Sequence, residues 1–281
     1  MSNYVVYESN YRAKTRTFRI WLNYLQTVVQ RKDLLFYLVK RDFLSDYKRS
    51  FISVGWILIT PALGVLSWLI INYTNILHPG QLPVPYPAYV LISTMIWRLF
   101  ISIYQSISNL FFESASFSLD VRSLREVLIV KQIILQTLNL AVGLIFIEIV
   151  LVYYGIYPTW KILTFPLTLL PLILMGAGIG LLTSVYSVVL PDAKKWLDYA
   201  MQLLMFVTPV IYSPQVSNAL IRKIISVNPV SYLLDWSRAS LIGGSFDDPL
   251  KFLLSSLAAL LIFLSGLRLL YLAEDKVIEK I

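Results

Sequence analysis

The residues able to do chemistry are few and scattered. Cysteine is absent and histidine occurs once, at His78, which excludes thiolate nucleophiles and Cys-based metal sites and leaves one imidazole without the partners a zinc ion needs. His78 begins HPGQLPVPYP (78–87), four prolines in ten residues, and reads as an ordinary loop residue. Acid–base catalysis at a membrane surface needs clustered carboxylates or a histidine. Asp247-Asp248 is an isolated pair directly before Pro249, the pattern of a helix start. There is no G-x-x-x-x-G-K-S/T to cradle phosphates. The nearest glycine cluster, GAGIG (176–180), lies in an apolar run, where Gly176 and Gly180 form a small-xxx-small face for close helix packing. No catalytic residue, metal ligand or cofactor site is therefore assigned to this chain.

The charges that do demand an explanation are elsewhere. Arg98 and Glu148 stand inside apolar runs; such residues are costly in hydrocarbon and face a partner or water. Both are expected in the outer half of the bilayer, pairing with each other or lining a polar route. Asp235 and Arg238 stand at i and i+3, within pairing reach on one helix face. They follow Asn228-Pro229, which reads as an N-cap with proline at the first helical position. A third group, Arg41, Asp42, Asp46, Lys48 and Arg49, ends abruptly, and no further Lys, Arg, Asp or Glu occurs before Arg98.

The elements that position these residues are membrane helices. Of 281 residues 57% are hydrophobic and 14% charged, too few charges for a water-facing surface. An all-α polytopic membrane protein is expected, with six transmembrane helices at 53–75, 88–112, 132–153, 162–184, 198–213 and 250–270. Lys and Arg concentrate before the first span, after the second (Arg122, Arg125, Lys131), after the fourth (Lys194, Lys195) and in the tail (Lys276, Lys280). By the positive-inside rule both termini are cytoplasmic, and the net charge of +8 is a topological bias, not a nucleic-acid footprint. The first twenty residues are polar and basic without a short apolar core, so no cleavable signal peptide is expected.

Four parts result: a basic cytoplasmic arm (1–30), an amphipathic interface helix (31–52), the transmembrane domain (53–270) and a cytoplasmic tail (271–281). In the arm, YRAKTRTFRIW (11–21) suits anionic lipid headgroups or plain solvent. In the interface helix Phe36, Val39, Phe43 and Tyr47 recur at helical spacing, with Arg41, Ser45 and Lys48 on the far side. Trp56 then sits at interfacial depth, and Pro61 kinks the first span. Between the fifth and sixth spans, ALIRKIISV and VSYLLDWSRASLI are too short to cross and too apolar for a free loop. They read as short re-entrant helices or as amphipathic surface helices at the outer leaflet.

This order of parts resembles the membrane subunits of type-2 ABC exporters, in their polysaccharide-export branch. The resemblance rests on YKRSFISVGWILITPAL (47–63), LPDAKK (190–195), TPVIYSP (208–214) and NPVSYLLDWSRASL (228–241). It implies a homodimer in the bacterial cell membrane, framing a channel for a lipid-linked polysaccharide such as O-antigen, capsule or teichoic acid. It also implies two copies of a separate ATPase subunit, which bind the ATP and Mg that this chain does not. By the same resemblance the ATPase would meet Arg41, Phe43, Tyr47 and Arg49, together with Phe117, Leu119, Arg122 and Leu124 of the 113–131 connection. The 214–249 insertion would form an outer gate, with Pro209, Tyr212, Asn228, Pro229, Tyr232, Asp235 and Arg238. Because aromatic rings stack on sugar faces, Trp56, Trp68 and Tyr104 join Arg98 and Glu148 as channel-lining candidates. A small-molecule exporter shares this topology. A membrane glycosyl- or acyltransferase lacks its acid–base groups here, and an ion-coupled carrier lacks its repeats and buried carboxylates.

Overall fold

The computed structural model describes residues 17–48, 63, 66–71, 73–74, 79–110, 125–215 and 218–278. Among them the regular structure is helical: α1 (Thr17–Gln30), α2 (Lys32–Lys48), α3 (Tyr86–Ser108), α4 (Arg125–Tyr153), α5 (Phe165–Val189), α6 (Pro191–Leu203), α7 (Ala219–Val227), α8 (Pro229–Ile242) and α9 (Pro249–Ile278). Short 3₁₀ turns precede α5 (Trp160–Thr164) and follow α6 (Leu204–Val207).

Four stretches, carried by α3, α4, α5 with its 3₁₀ turn, and α9, are long and apolar enough to cross a membrane. They match the expected second, third, fourth and sixth spans. Of the expected first span, residues 66–71 are helical and most of the remainder lies outside the described residues. The fifth departs from expectation. Its helix begins earlier, with Pro191 in the first turn, and gives way by Leu204 to a 3₁₀ turn and then to irregular chain. Thr208 is extended (φ −110°, ψ 135°), as the residue before a proline tends to be, and Pro209 and Pro214 deny the backbone donors that a continuing helix would need.

Helix α5 is the packing centre. A Cβ on Gly176 or Gly180 would stand 2.9 Å from the carbonyl oxygens of Phe100 and Tyr104 on α3, and one on Gly178 would stand 2.6 Å from the Phe263 nitrogen on α9. The GAGIG cluster thus admits two helix backbones on two faces, as small residues do in membrane bundles. Aliphatic side chains cover the outer faces of α4 (Ile145, Ile149, Val152) and α9 (Leu250, Leu253, Leu257), a surface suited to hydrocarbon. Helix α3 has no large exposed hydrophobic side chain.

One segment differs from the expected layout, and a second decides between two readings. The last part of the basic arm is not a free arm: α1 buries Ile20 and Tyr24 one helical turn apart, and packs against α4 and α9. Helix α8 is not a surface helix, because Val230, Leu233, Leu234, Ser237, Arg238 and Leu241 are all buried. The amphipathic reading suits α7 instead, which buries Ile225 and exposes Leu220 and Val227.

Candidate functional site

At one end of the bundle the 208–249 region closes over the start of α3. Asn228 caps α8: its Oδ1 accepts from the Val230 nitrogen at 3.0 Å, and Pro229 occupies the first turn. The same side chain donates through Nδ2 to Thr208 Oγ1 at 2.9 Å and to the Val207 carbonyl at 3.3 Å, tying α8 to the non-helical end of the α6 segment. One and a half turns into α8, Asp235 and Arg238 pair across i, i+3.

Arg238 is 2% exposed, and burial of a guanidinium is tolerable only when its donors are satisfied. Its Nη1 donates to Ser93 Oγ at 2.9 Å and to the Pro209 carbonyl at 3.1 Å, its Nη2 donates to Asp235 Oδ1, and its guanidinium lies 4.1 Å from the Tyr89 ring centroid. Tyr89 in turn donates to the carbonyls of Pro209 (3.2 Å) and Tyr212 (2.9 Å). The Tyr212 hydroxyl donates to the Phe206 carbonyl at 2.9 Å. Tyr232 donates to the Ser226 carbonyl at 3.0 Å, linking α8 to α7. Thus Pro209, Tyr212, Asn228, Pro229, Asp235 and Arg238 form one knot, with Tyr232 at its edge. A cavity of about 300 Å³ opens beside it, lined in part by Gln81, Gln215, Asp235 and Asp247.

The opposite end carries a second joint. Asp42 on α2 accepts from Arg41 Nε at 2.8 Å and from Lys131 Nζ on α4 at 2.9 Å. Burial by itself would raise the Asp42 pKa; the two hydrogen bonds and the charges of Arg41 and Lys131 outweigh it and hold the carboxyl below its ordinary value. Lys131 is buried and Arg41 exposed, so Asp42 joins a surface cation to an interior one. Phe43 is half-buried beside them. Tyr47 lies in α2, while Arg49, Phe117, Leu119, Arg122 and Leu124 lie outside the described residues.

Between the two ends, the channel-lining candidates separate. Trp56 lies outside the described residues, and Trp68 is half-buried against the core. Tyr104 is a correction: at 1% exposure it presents no surface, and its hydroxyl donates to Asp198 Oδ1 at 2.7 Å, which also accepts Lys194 on its other oxygen. The expected pairing of Arg98 with Glu148 is a second correction. No hydrogen bond or ion pair joins them: Arg98 is exposed, and Glu148 is half-buried with Oε1 unpartnered. Their depths explain it. Arg98 lies near the middle of the 23-residue α3, whereas Glu148 stands within two turns of the Tyr153 end of α4.

Arg98 and Gln105 are the two exposed residues of α3, with Thr94 and Ser102 half-buried on the same face at helical spacing. Sequence reasoning singled out Arg98 without its neighbours, although the 94, 98, 102, 105 spacing of polar residues was there to be read. It also missed Tyr89 and Ser93, which carry no charge and whose role depends on Arg238, 145 residues beyond Ser93, reaching them.

Residues 33–242 match the ABC-2 type transporter family. Among curated proteins the chain is similar to an O-antigen export system permease protein RfbA of Myxococcus xanthus, 21% identical over 189 residues covering 67% of this chain and 71% of the relative. It is also similar to the O-antigen export system permease protein RfbA of Klebsiella pneumoniae, 22% identical over 211 residues covering 73% of this chain and 78% of the relative.

Proposed function

The chain belongs to the ABC-2 type transporter family and is a non-catalytic membrane permease subunit, and from that premise we propose that it is the transmembrane half of an ATP-driven exporter of a lipid-linked polysaccharide. The observation that carries the reading is the polar face of α3. Where α4 and α9 show runs of aliphatic side chains on their outer faces, α3 turns Arg98 and Gln105 outward and exposes no large hydrophobic residue. An arginine at mid-span facing hydrocarbon costs about 2.5–3.5 kcal/mol on insertion scales, so this face borders a hydrophilic route. Two polysaccharide-export relatives at low identity favour a glycan as its cargo.

In this reading two copies of the chain place their α3 faces around a common path, since one small bundle does not enclose a polymer. The α2 end faces the cytoplasm, where two ATPase subunits bind ATP and Mg. Their closure is a rigid-body motion, and the Asp42–Lys131 pair passes it from α2 to α4. At the outer end the Arg238 knot holds the 208–249 region as a unit that opens and closes as one piece.

The test is co-expression with the neighbouring ATPase subunit and reconstitution into vesicles. ATP-dependent movement of a lipid-linked glycan, present in wild type and lost in Asp42→Ala despite intact co-purification, supports the reading. A chain that purifies without any ATPase, or a complex that moves small drugs and no glycan, overturns it.

A further inference from the structure

The geometry points to Arg98 as the residue that selects the charge of the cargo: the polar face of α3 takes a substrate bearing an anionic phosphoryl or carboxylate group, which Arg98 contacts as it passes. This rests on the exporter reading and adds a substrate class to it.

Three observations carry the inference. Among the described residues Arg98 has no hydrogen bond, ion pair or ring contact, unlike Lys131 and Arg238, the two buried cations described above, each of which has a carboxylate. It also stands far from the headgroup regions: near the middle of 23 residues it is roughly 15 Å from either helix end at 1.5 Å per residue, too deep for ready snorkelling. Finally, its neighbours on the face, Thr94, Ser102 and Gln105, are neutral hydrogen-bonding groups, so no carboxylate on this face competes for the guanidinium. Neutral sugars would be served by the hydroxyl and amide groups alone. A permanent cation, planar and with five donors, matches phosphate or carboxylate oxygens, and rings of Arg or Lys are what give pores their anion preference. Two sources supply that chemistry: the phosphate joining a glycan to its lipid, or acidic sugars along the polymer.

The experiment uses the full chain in nanodiscs for binding and the ATPase-bound complex in vesicles for transport, comparing wild type with Arg98→Gln and Arg98→Lys. The binding probes are a polyprenyl diphosphate, the matching uncharged polyprenol, oligogalacturonate and maltoheptaose. The expected result is that at least one anionic probe binds wild type and weakens by about tenfold or more in Arg98→Gln, with partial recovery in Arg98→Lys and no change for the neutral probes. Loss confined to polyprenyl diphosphate assigns the linker phosphate, and loss confined to oligogalacturonate assigns acidic sugars. Equal binding of anionic probes by wild type and Arg98→Gln overturns the inference, as does an equal loss for neutral probes or the absence of anion binding to wild type. Vesicle transport separates the two levels. If wild type and Arg98→Gln carry a charged glycan equally well, charge selection fails and the exporter reading stands; if wild type carries no glycan, the exporter reading itself fails.

Discussion

Arg238 and Arg98 are the same side chain in one bundle, held in opposite ways. Arg238 is buried, spends its donors on Ser93, Pro209 and Asp235, and rests on the Tyr89 ring. Arg98 is exposed at mid-span and, among the described residues, spends none. A guanidinium buried without partners is too costly to keep, so the Arg238 environment is what makes that residue structural: it turns a charge into a junction among α3, α8 and the chain around Pro209. Arg98 ties no described element of its protomer to another, and a charge at that depth calls for water or a polar partner. Whether a membrane arginine is partnered thus separates a residue that builds the route from one that uses it.

The contrast is broken or sharpened most strongly by removing each arginine in turn. Arg238→Met should destabilise by about 2–4 kcal/mol, because Asp235 and Ser93 Oγ lose the guanidinium donor, with Asp235 retaining some hydration and the Pro209 carbonyl keeping Tyr89. In detergent the thermal midpoint should fall on the order of 5–10 °C, while Arg98→Met leaves it unchanged. A comparable fall in both variants would erase the distinction.

Asn228→Ala should come next, at about 2 kcal/mol, from the lost α8 cap and the lost donation to Thr208 and Val207. Because Asn228 and Arg238 brace the same 207–209 segment from two sides, the double variant should fall short of the sum of the singles. Full additivity would mean that the knot is two independent contacts.

The third cation to compare is Lys131, buried like Arg238 but satisfied by a different helix. Asp42→Asn should cost about 1–2 kcal/mol, since it leaves the Lys131 ammonium without a carboxylate, and should lower the coupling of ATP hydrolysis to transport more than it lowers stability. The pH dependence has a definite sign. The Asp42 pKa is lowered in the folded state, so its stabilisation is complete above the ordinary carboxylate value of about 4 and is lost as pH falls through the lower folded value. Thermal midpoints of wild type and Asp42→Asn should therefore converge only below about pH 4. Convergence near pH 6 would show that another group controls the joint.

Sequence reading reached what depends on local pattern. The Asn228-Pro229 cap, the Asp235–Arg238 pairing, the GAGIG packing face and the helix start at Pro249 are all set within a few residues, and all occur. It misjudged what depends on depth and on distant contact. Arg98 and Glu148 were expected together because both are charges in apolar runs, and run boundaries do not reveal that one sits at mid-span and the other near a helix end. Tyr104 reads from sequence as a channel-lining candidate because aromatic content does not distinguish a ring packed at 1% exposure from one that is open. The sequence of α8 suits either a re-entrant or a surface helix, and the packing of α3, α5 and α9 against it is what shows it buried.

The smallest expected effect tests what sits at the centre of the knot. Tyr89 contributes a ring beneath Arg238 and a hydroxyl that donates to Pro209 and Tyr212. Tyr89→Phe keeps the ring, and with it the cation–π contact. The Pro209 carbonyl still accepts from Arg238, which leaves the Tyr212 carbonyl as the group that loses its Tyr89 donor. The cost should be about 1 kcal/mol, a fall of roughly 2–4 °C, well below that of Arg238→Met. If Tyr89→Phe instead matched Arg238→Met, the hydroxyl rather than the guanidinium would be the organising group. The buried arginine would then be a passenger held by Asp235, and the contrast with Arg98 would have to be redrawn around the phenol.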